Sequence, residues 1–359
     1  MRMLSQAVVE FGAPLKEIET PTPVPTGTEV LLKVHNAGVC HSDVHIHDGY
    51  FDLGGGNKLP MANIQLPHTL GHEIEGEVVA VGPGVKDIKV GDRYAAFPWI
   101  GCGKCASCLR GEENICVGGP RQLGCNNGCP GGYATHVMIP HPKYLIDYGK
   151  VDPALGAAYM CSGLTAFAAM KKIGKLGPND QVLVVGVGGV GMMGVQFAKA
   201  LFGPSQGKDW GPLAADIDEV KLEAAMKAGA SKTYNTKVDG AAKQLMADTG
   251  GGAYAVVDFV GSEKSFAFAS QSVRRGGKVI IVGLFGGAMQ MPLPMFPFRA
   301  IGIQGSMVGS LSDTLEMMEL VRAGKVDPVP VTKRPLSAAN DTLNDLREGK
   351  ILGRVVLTP

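Results

Sequence analysis

The segment QVLVVGVGGVGMMGVQFAKAL, residues 181–201, decides the fold. Its opening, Gln181 to Val185, is an apolar, β-branched run that reads as a buried strand. Gly186, Gly188, Gly189, Val190 and Gly191 follow at once, and the remainder has helical texture. A strand, a glycine turn and a helix in this order form the dinucleotide-binding fingerprint. Gly186 makes the tight turn, Gly188 lets backbone approach a pyrophosphate, and Gly191 permits close helix–strand packing. Gly189 and Val190 complete the glycine run ahead of the helix MMGVQFAKAL, whose N-terminal dipole favours negative charge. A glycine-rich turn with no ligand is the plainer alternative. The strand before and the helix after weigh against it.

Outward from this segment, the chain alternates. AYAVVDFV (253–260) and GKVIIVGL (277–284) read as further buried parallel strands, and EVKLEAAMKAGA (219–230) as a helix ending near Gly229. Alternation of this kind predicts a doubly wound α/β domain of Rossmann type over 164–305. Residues 1–163 differ. EVLLKVHNAGV (29–39) and EIEGEVVAVGPGV (73–85) alternate apolar and polar residues, predicting strands of a half-exposed antiparallel or barrel-like sheet. Residues 306–359 carry a helix, SDTLEMMELVRAGKV, with Ser312 as expected N-cap. The closing RVVLTP is expected to return to the first domain.

Composition narrows the function. With 45% hydrophobic and 19% charged residues among 359, the chain can bury roughly two cores and is not disordered. A net charge of +1, without basic or acidic blocks, gives no footprint for nucleic acid or an anionic membrane. The N-terminus lacks an apolar core of signal length. The longest uncharged apolar stretch, Val182 to Ala198, holds five glycines and does not read as a membrane span. These features predict a cytoplasmic protein, where thiols stay reduced and open to metal.

A carboxylate at the end of the second strand would grip the adenosine ribose and repel a 2′-phosphate. In PLAADID, Asp216 is the first acidic residue after the apolar run; Asp218 reads as part of the following turn. Asp216 therefore predicts NAD over NADP. It lies 25 residues after Gly191, against about 20 in the usual fingerprint, and the excess falls in FGPSQGKDWG (202–211), an apparent inserted loop.

GCGKCASCLRGEENIC (101–116) holds Cys102, Cys105, Cys108 and Cys116. The spacing C-x2-C-x2-C-x7-C can wrap one tetrahedral Zn²⁺, and closed four-sulfur sites are typically structural. Disulfides fit a reducing compartment poorly, and the C-P ending of the bacterial ferredoxin run is absent. Outside the cluster stand Cys40, His72 and Cys161. Two thiolates and an imidazole would leave a fourth zinc position open, as in catalytic sites. Sequence distance alone does not group them.

The chain resembles the zinc-dependent medium-chain alcohol dehydrogenases over essentially its whole length. The matches are GVCHSD (38–43), GHE (71–73), VGD (90–92), the cysteine run, CSGLT (161–165), GVGGVG (186–191) and GRVVL (353–357). The resemblance implies a GroES-like first domain, a catalytic zinc on Cys40, His72 and Cys161, and a structural zinc on the four-cysteine lobe. Polyol-type relatives usually carry an acidic residue at the position of Cys161. Asp43 looks like the carboxylate that orients the zinc-bound imidazole, and Glu73 like the one behind the zinc. His41 and Arg354 look like phosphate contacts, Thr165 like a nicotinamide contact, and Lys221 joins the cofactor residues. The reaction implied is reversible, NAD-linked oxidation of an alcohol to an aldehyde or ketone by hydride transfer. The alcohol would be held as alkoxide at zinc, its proton leaving through Ser42, the cofactor ribose and His45. A homodimer or homotetramer is implied, by extension of the coenzyme-domain sheet.

Tyr50, Phe51 and Trp99 are candidate pocket walls, and the glycine-bearing stretch 51–65 is expected to shape the entrance. His47, His68, His136 and His141 receive no role. Cys125 and Cys129 read as thiols of a turn-rich surface loop, with a redox disulfide or metal competition as alternatives. Rival functions are a dehydrogenase of a polyol, aryl alcohol or CoA-linked hydroxyl, and a non-enzymatic binding protein. Intact Cys40, Ser42, His72 and Cys161 argue against the last.

Overall fold

The structure, a computed structural model, describes every residue except Met1, Asn63, Asn127 and Lys208. Val182–Val185 is the centre of a parallel six-stranded sheet. On one side lie Leu213–Asp216 and then Lys232–Asn235. On the other lie Ala253–Asp258, Val273–Ile281 and Gly302–Gly305. In chain order this is 3-2-1-4-5-6, the doubly wound order with its switch point beside the first strand. All four side chains of Val182–Val185 are buried, which is why the run lacks alternation.

The remaining strands form mostly antiparallel sheets. Val30–Gly38 and Glu73–Val81 pair along their length, with Arg93–Ala96, Leu145–Ile146 and His136–Ile139 at the flanks. The chain's last strand joins the same sheet. Arg354–Thr358 pairs antiparallel with Val30–Gly38, Val356 facing Gly38, and parallel with Val331–Pro335.

Three local readings need correction. Val30–Gly38 and Glu73–Val81 are mostly buried, not half exposed. Their polar residues bond inward: Glu75 accepts from Asn36 at 2.7 Å, from Tyr148 at 2.8 Å and from Arg93 at 2.9 Å. The helix Leu311–Arg322 is capped by Ser310, not Ser312. Ser310 Oγ accepts from Asp313 N while Asp313 accepts from Ser310 N, a reciprocal capping box. The stretch 202–211 is only partly a loop, because the helix Gly189–Gln206 runs into it. Trp210 then folds back on Phe202, ring centroids 6.0 Å apart.

Pro153–Lys171 is long and apolar enough to cross a membrane by length and composition, but 89% of its window is buried inside the protein. It consists of the helix Pro153–Ala158, a π-helical turn Tyr159–Gly163 and the helix Leu164–Lys171.

Candidate active site and metal centres

The glycine loop has the geometry its sequence requires. Gly186 has φ 81°, a left-handed conformation that a side chain would strain. A Cβ on Gly191 would run into the Gly186 carbonyl, so the helix can start this close only with glycine there. Asp216 ends its strand at the loop. Oδ2 accepts from Val187 N at 2.8 Å and Oδ1 from Ile217 N at 2.7 Å. Oδ1 also accepts from Asp218 N at 3.1 Å, so it is Oδ2 that keeps a further lone pair for a ribose hydroxyl. Asp218 instead caps the next helix, accepting from Val220 N at 2.9 Å.

A cleft of about 2560 Å³ opens in front of this loop. It gathers Gly186, Gly188, Gly189, Val190, Gly191, Asp216, Lys221 and Arg354 with Cys40, His41, Ser42, His45, Cys161 and Thr165. Tyr50, Phe51 and Trp99 also line it. Residues as distant in the chain as Cys40 and Arg354 thus line one cleft.

Cys40, His72 and Cys161 converge: one ligand atom from each lies within 4.8 Å of the others, and all three residues are buried. The sulfurs of Cys40 and Cys161 are 4.0 Å apart. Two sulfurs on one tetrahedral Zn²⁺, each at ~2.3 Å, would be about 3.8 Å apart. His72 is fully buried, and among the described residues neither ring nitrogen has an aligned hydrogen-bond partner. Such an orphan is costly unless it has a ligand. A metal ion would satisfy one nitrogen and leave Nδ1 beside the Asp43 carboxylate, so this donor set fits zinc. The Cys161 thiol directed at Cys40 holds Cys40 well below the usual thiol range, with His72 adding to it.

The supports lie behind the cleft wall. Asp43 is buried and accepts from Cys40 N at 2.9 Å, Gly71 N at 3.2 Å and Tyr133 Oη at 3.1 Å. Its Oδ1 stands 3.3 Å from His72 Nδ1, close but out of hydrogen-bond alignment. Glu73 is buried too. Its Oε1 accepts from Ser162 Oγ at 2.5 Å, and its Oε2 from Arg354 Nη2 at 2.6 Å. Burial pushes the Glu73 carboxyl up, although Arg354 pulls the other way. Arg354 also donates to the Val39 carbonyl at 2.9 Å. Its Nη2 is thus taken by Glu73 and the Val39 carbonyl, while Nη1 lies 3.1 Å from where a Gly189 Cβ would sit. The side chain thus reaches the loop, its Cδ 2.9 Å from the same point.

Ser42 Oγ lies 3.9 Å from Cys40 Sγ. His45 stands one turn on in the helix His41–Asp48, its ring 4.9 Å from Phe51. Burial lowers the His45 pKa, so the imidazole is neutral at neutral pH. His47 is structural, its Nε2 2.7 Å from the Ala13 carbonyl. His68 binds the Gly124 carbonyl at 3.1 Å, His136 meets Thr135 at 3.0 Å, and His141 accepts from Lys143 N.

The second cluster sits in the lobe 101–118. Cys102 and Cys108 sulfurs are 4.0 Å apart, Cys105 and Cys108 3.5 Å, Cys105 and Cys116 3.8 Å. Backbone N–H groups of Cys102, Cys105 and Gly118 point at these sulfurs. Four converging thiols with N–H donors fit a closed zinc site. All eight cysteines are free of disulfides. Cys129 is buried and Cys125 lines the cleft, which corrects their reading as surface-loop thiols.

Ser162, Tyr133 and Asp258 were missed. Ser162 directly follows a predicted ligand, which was signal enough. Asp258 ends an apolar strand as Asp216 does, and it holds the next loop through Val260 N at 2.9 Å and Gly261 N at 3.1 Å. Tyr133 carries no signal in its local sequence.

A dinucleotide-type sheet facing an open Cys–His–Cys centre, with a closed four-cysteine centre nearby, defines a metal-dependent dehydrogenase. The alcohol dehydrogenase GroES-like domain matches residues 26–148, and the zinc-binding dehydrogenase domain matches 189–323. The chain belongs to the zinc-dependent medium-chain alcohol dehydrogenase family. It is 38% identical to an NAD-dependent alcohol dehydrogenase of Sulfurisphaera tokodaii, over 99% of this chain and 100% of that one. The alcohol dehydrogenase structure from Aeropyrum pernix matches with a TM-score of 0.86 at 30% identity, covering 99% of this chain and 100% of that one. An acetophenone reductase from Geotrichum candidum, solved with NAD, matches at 0.84 and 31%, covering 99% and 97%.

Proposed function

We propose that this chain catalyses the reversible, NAD-linked oxidation of an alcohol to an aldehyde or ketone, with one catalytic and one structural zinc. The observation that carries the reading is the orphaned, buried His72 imidazole facing two thiols on the wall of the dinucleotide cleft. When bound, zinc supplies a Lewis acid that acidifies the alcohol, and NAD supplies the hydride acceptor. Cys40, His72 and Cys161 hold the catalytic zinc, and Cys102, Cys105, Cys108 and Cys116 the structural one. Asp43 and Glu73 hold the ligand segments.

Ser42 accepts the proton's hydrogen bond beside Cys40, and His45 passes the proton to water at its ring nitrogen. The neutral state of His45 suits it to accept. Asp216, Lys221 and the glycine loop seat the dinucleotide, with His41, Thr165 and the near edge of Arg354 around it. Asp216 selects NAD, its carboxylate being incompatible with a 2′-phosphate. Tyr50, Phe51 and Trp99 make an apolar, aromatic pocket. A hairpin, Tyr50–Gly54 with Asn57–Pro60, frames its entrance, packing backbone to backbone on Gly286–Ala288.

The domains divide as 1–163, 164–305 and 306–359, the last returning to the first. The protein is a homodimer or homotetramer. The edge strand Gly302–Gly305 has one sheet neighbour among the described residues, and Phe285, Leu293 and Phe298, in the segment that leads to it, are more than two-thirds exposed. The cysteines, all free of disulfides, support a cytoplasmic location. A panel of primary, secondary, cyclic and aromatic alcohols, with NAD or NADP and reduced-cofactor absorbance as readout, tests the reading. Reduction of NAD by at least one class supports it; no reduction of either cofactor by any alcohol sinks it.

A further inference from the structure

We propose that Trp99 is a positioning residue for the open metal site. It acts on two ligands at once, fixing the turn that carries Cys161 and seating the His72 imidazole. The inference rests on the reading that Cys40, His72 and Cys161 hold zinc.

Trp99 is itself firmly held. The carbonyls of its neighbours Pro98 and Ile100 accept from Leu123 N at 3.1 Å and Arg121 N at 2.8 Å. Gly101 N donates to Glu113 Oε2 at 3.1 Å. Its backbone thus forms the base of the four-cysteine lobe, and its buried indole lines the cleft.

Nε1 of the indole donates to the Met160 carbonyl at 3.0 Å. Met160 precedes Cys161 within the π-helical turn Tyr159–Gly163. A π turn departs from the regular helical register, and here the indole fixes the carbonyl directly before the Cys161 ligand. On the other side of Cys161, Ser162 is tied to Glu73 through both N and Oγ. Cys161 is therefore clamped from both sides, and Trp99 is one jaw.

The same indole packs on His72, ring centroids 5.3 Å apart and planes tilted by 59°. Among the described residues His72 makes no aligned hydrogen bond from either nitrogen, so packing and the nearby Asp43 charge set its ring orientation. Removing the indole frees one ligand's backbone and one ligand's ring together. Groups of this kind commonly tune metal affinity by about 10–100-fold.

The test uses the full-length, zinc-loaded protein. Trp99→Phe keeps a ring but loses the donor, and Trp99→Leu loses both. 3-Benzothienylalanine at position 99 keeps shape without a donor, for use if either variant fails to fold. Zinc release to a chelator is followed, and the absorption bands of the cobalt-substituted site are recorded. The wild type should hold two zinc ions. Trp99→Phe should keep the four-cysteine zinc but lose the other about tenfold faster, with shifted cobalt bands. Trp99→Leu should lose it faster still. Wild-type release rates and an unchanged cobalt spectrum in Trp99→Phe, or in the benzothienyl protein, would overturn the role. A wild type holding only the four-cysteine zinc would instead overturn the open-site reading itself.

Discussion

The Glu73–Arg354 pair gives a prediction whose two halves differ. The partners are 0% and 4% exposed and joined at 2.6 Å, and they link the segments next to Cys40 and Cys161. Removing one partner of a buried pair costs about 3–5 kcal/mol, because the other charge stays unpaired. Glu73→Gln leaves an arginine that cannot lose its proton. Its cost should persist from pH 5 to pH 8. Arg354→Gln leaves a carboxyl whose pKa is already pushed up by burial. Without the guanidinium it rises further, so the folded variant binds a proton that the unfolded chain has released. That contribution is full below the unfolded glutamate pKa and is lost as pH rises through the folded one. Arg354→Gln should therefore recover stability on acidification, by about 1.4 kcal/mol for each pH unit between the two values. Urea unfolding by tryptophan fluorescence reads this. With a slope of about 3 kcal/mol per molar, a full loss moves the midpoint by about 1–1.7 M. Both variants matching wild type at pH 8 would refute the pairing, as would equal losses for Arg354→Gln at pH 5 and pH 8.

Three shorter tests address other parts of the site. His45→Ala should slow alcohol oxidation by about 10²-fold or more and flatten the acidic limb of the pH–rate profile, which in the wild type falls below pH 6.5 because burial lowers this imidazole. An unchanged profile would remove His45 from the proton route. Asp216→Asn should raise the kcat/KM ratio of NADP over NAD by about tenfold or more, since the group that repels the 2′-phosphate is gone; an unaltered ratio would place cofactor choice elsewhere. Glu113 joins the four-cysteine lobe to the body through Gly101 N at 3.1 Å, Lys143 at 2.9 Å and Tyr144 at 2.8 Å. Glu113→Gln should speed zinc loss from that lobe and cost about 1–3 kcal/mol, and unchanged zinc retention would contradict the anchoring role.

The parts legible in the sequence are those encoded locally. The glycine loop and the four-cysteine run carry their geometry in their spacing, because each folds on itself within a few residues. Asp216 was found at the end of its apolar run for the same reason. Cys40, His72 and Cys161 were grouped by resemblance, since residues 121 positions apart announce no contact. The Glu73–Arg354 pair spans 281 positions, and its discovery required the returning C-terminal strand. Alternation misled the reading of Val30–Gly38 and Glu73–Val81, because buried Asn36 and Glu75 satisfy one another and mimic solvent-facing residues. Ser310 displaced Ser312 as cap because Asp313 stands three residues after it, the spacing a reciprocal cap needs.

The central claim is that chemistry occurs at the open zinc and not at the four-cysteine one. Metal content and NAD-linked alcohol oxidation, measured together during stepwise chelation, test it directly. The purified chain should carry two zinc ions. Loss of the first should abolish oxidation while the four-cysteine lobe stays loaded, and added zinc should restore it. Oxidation that continues in protein retaining only the four-cysteine zinc would contradict the account.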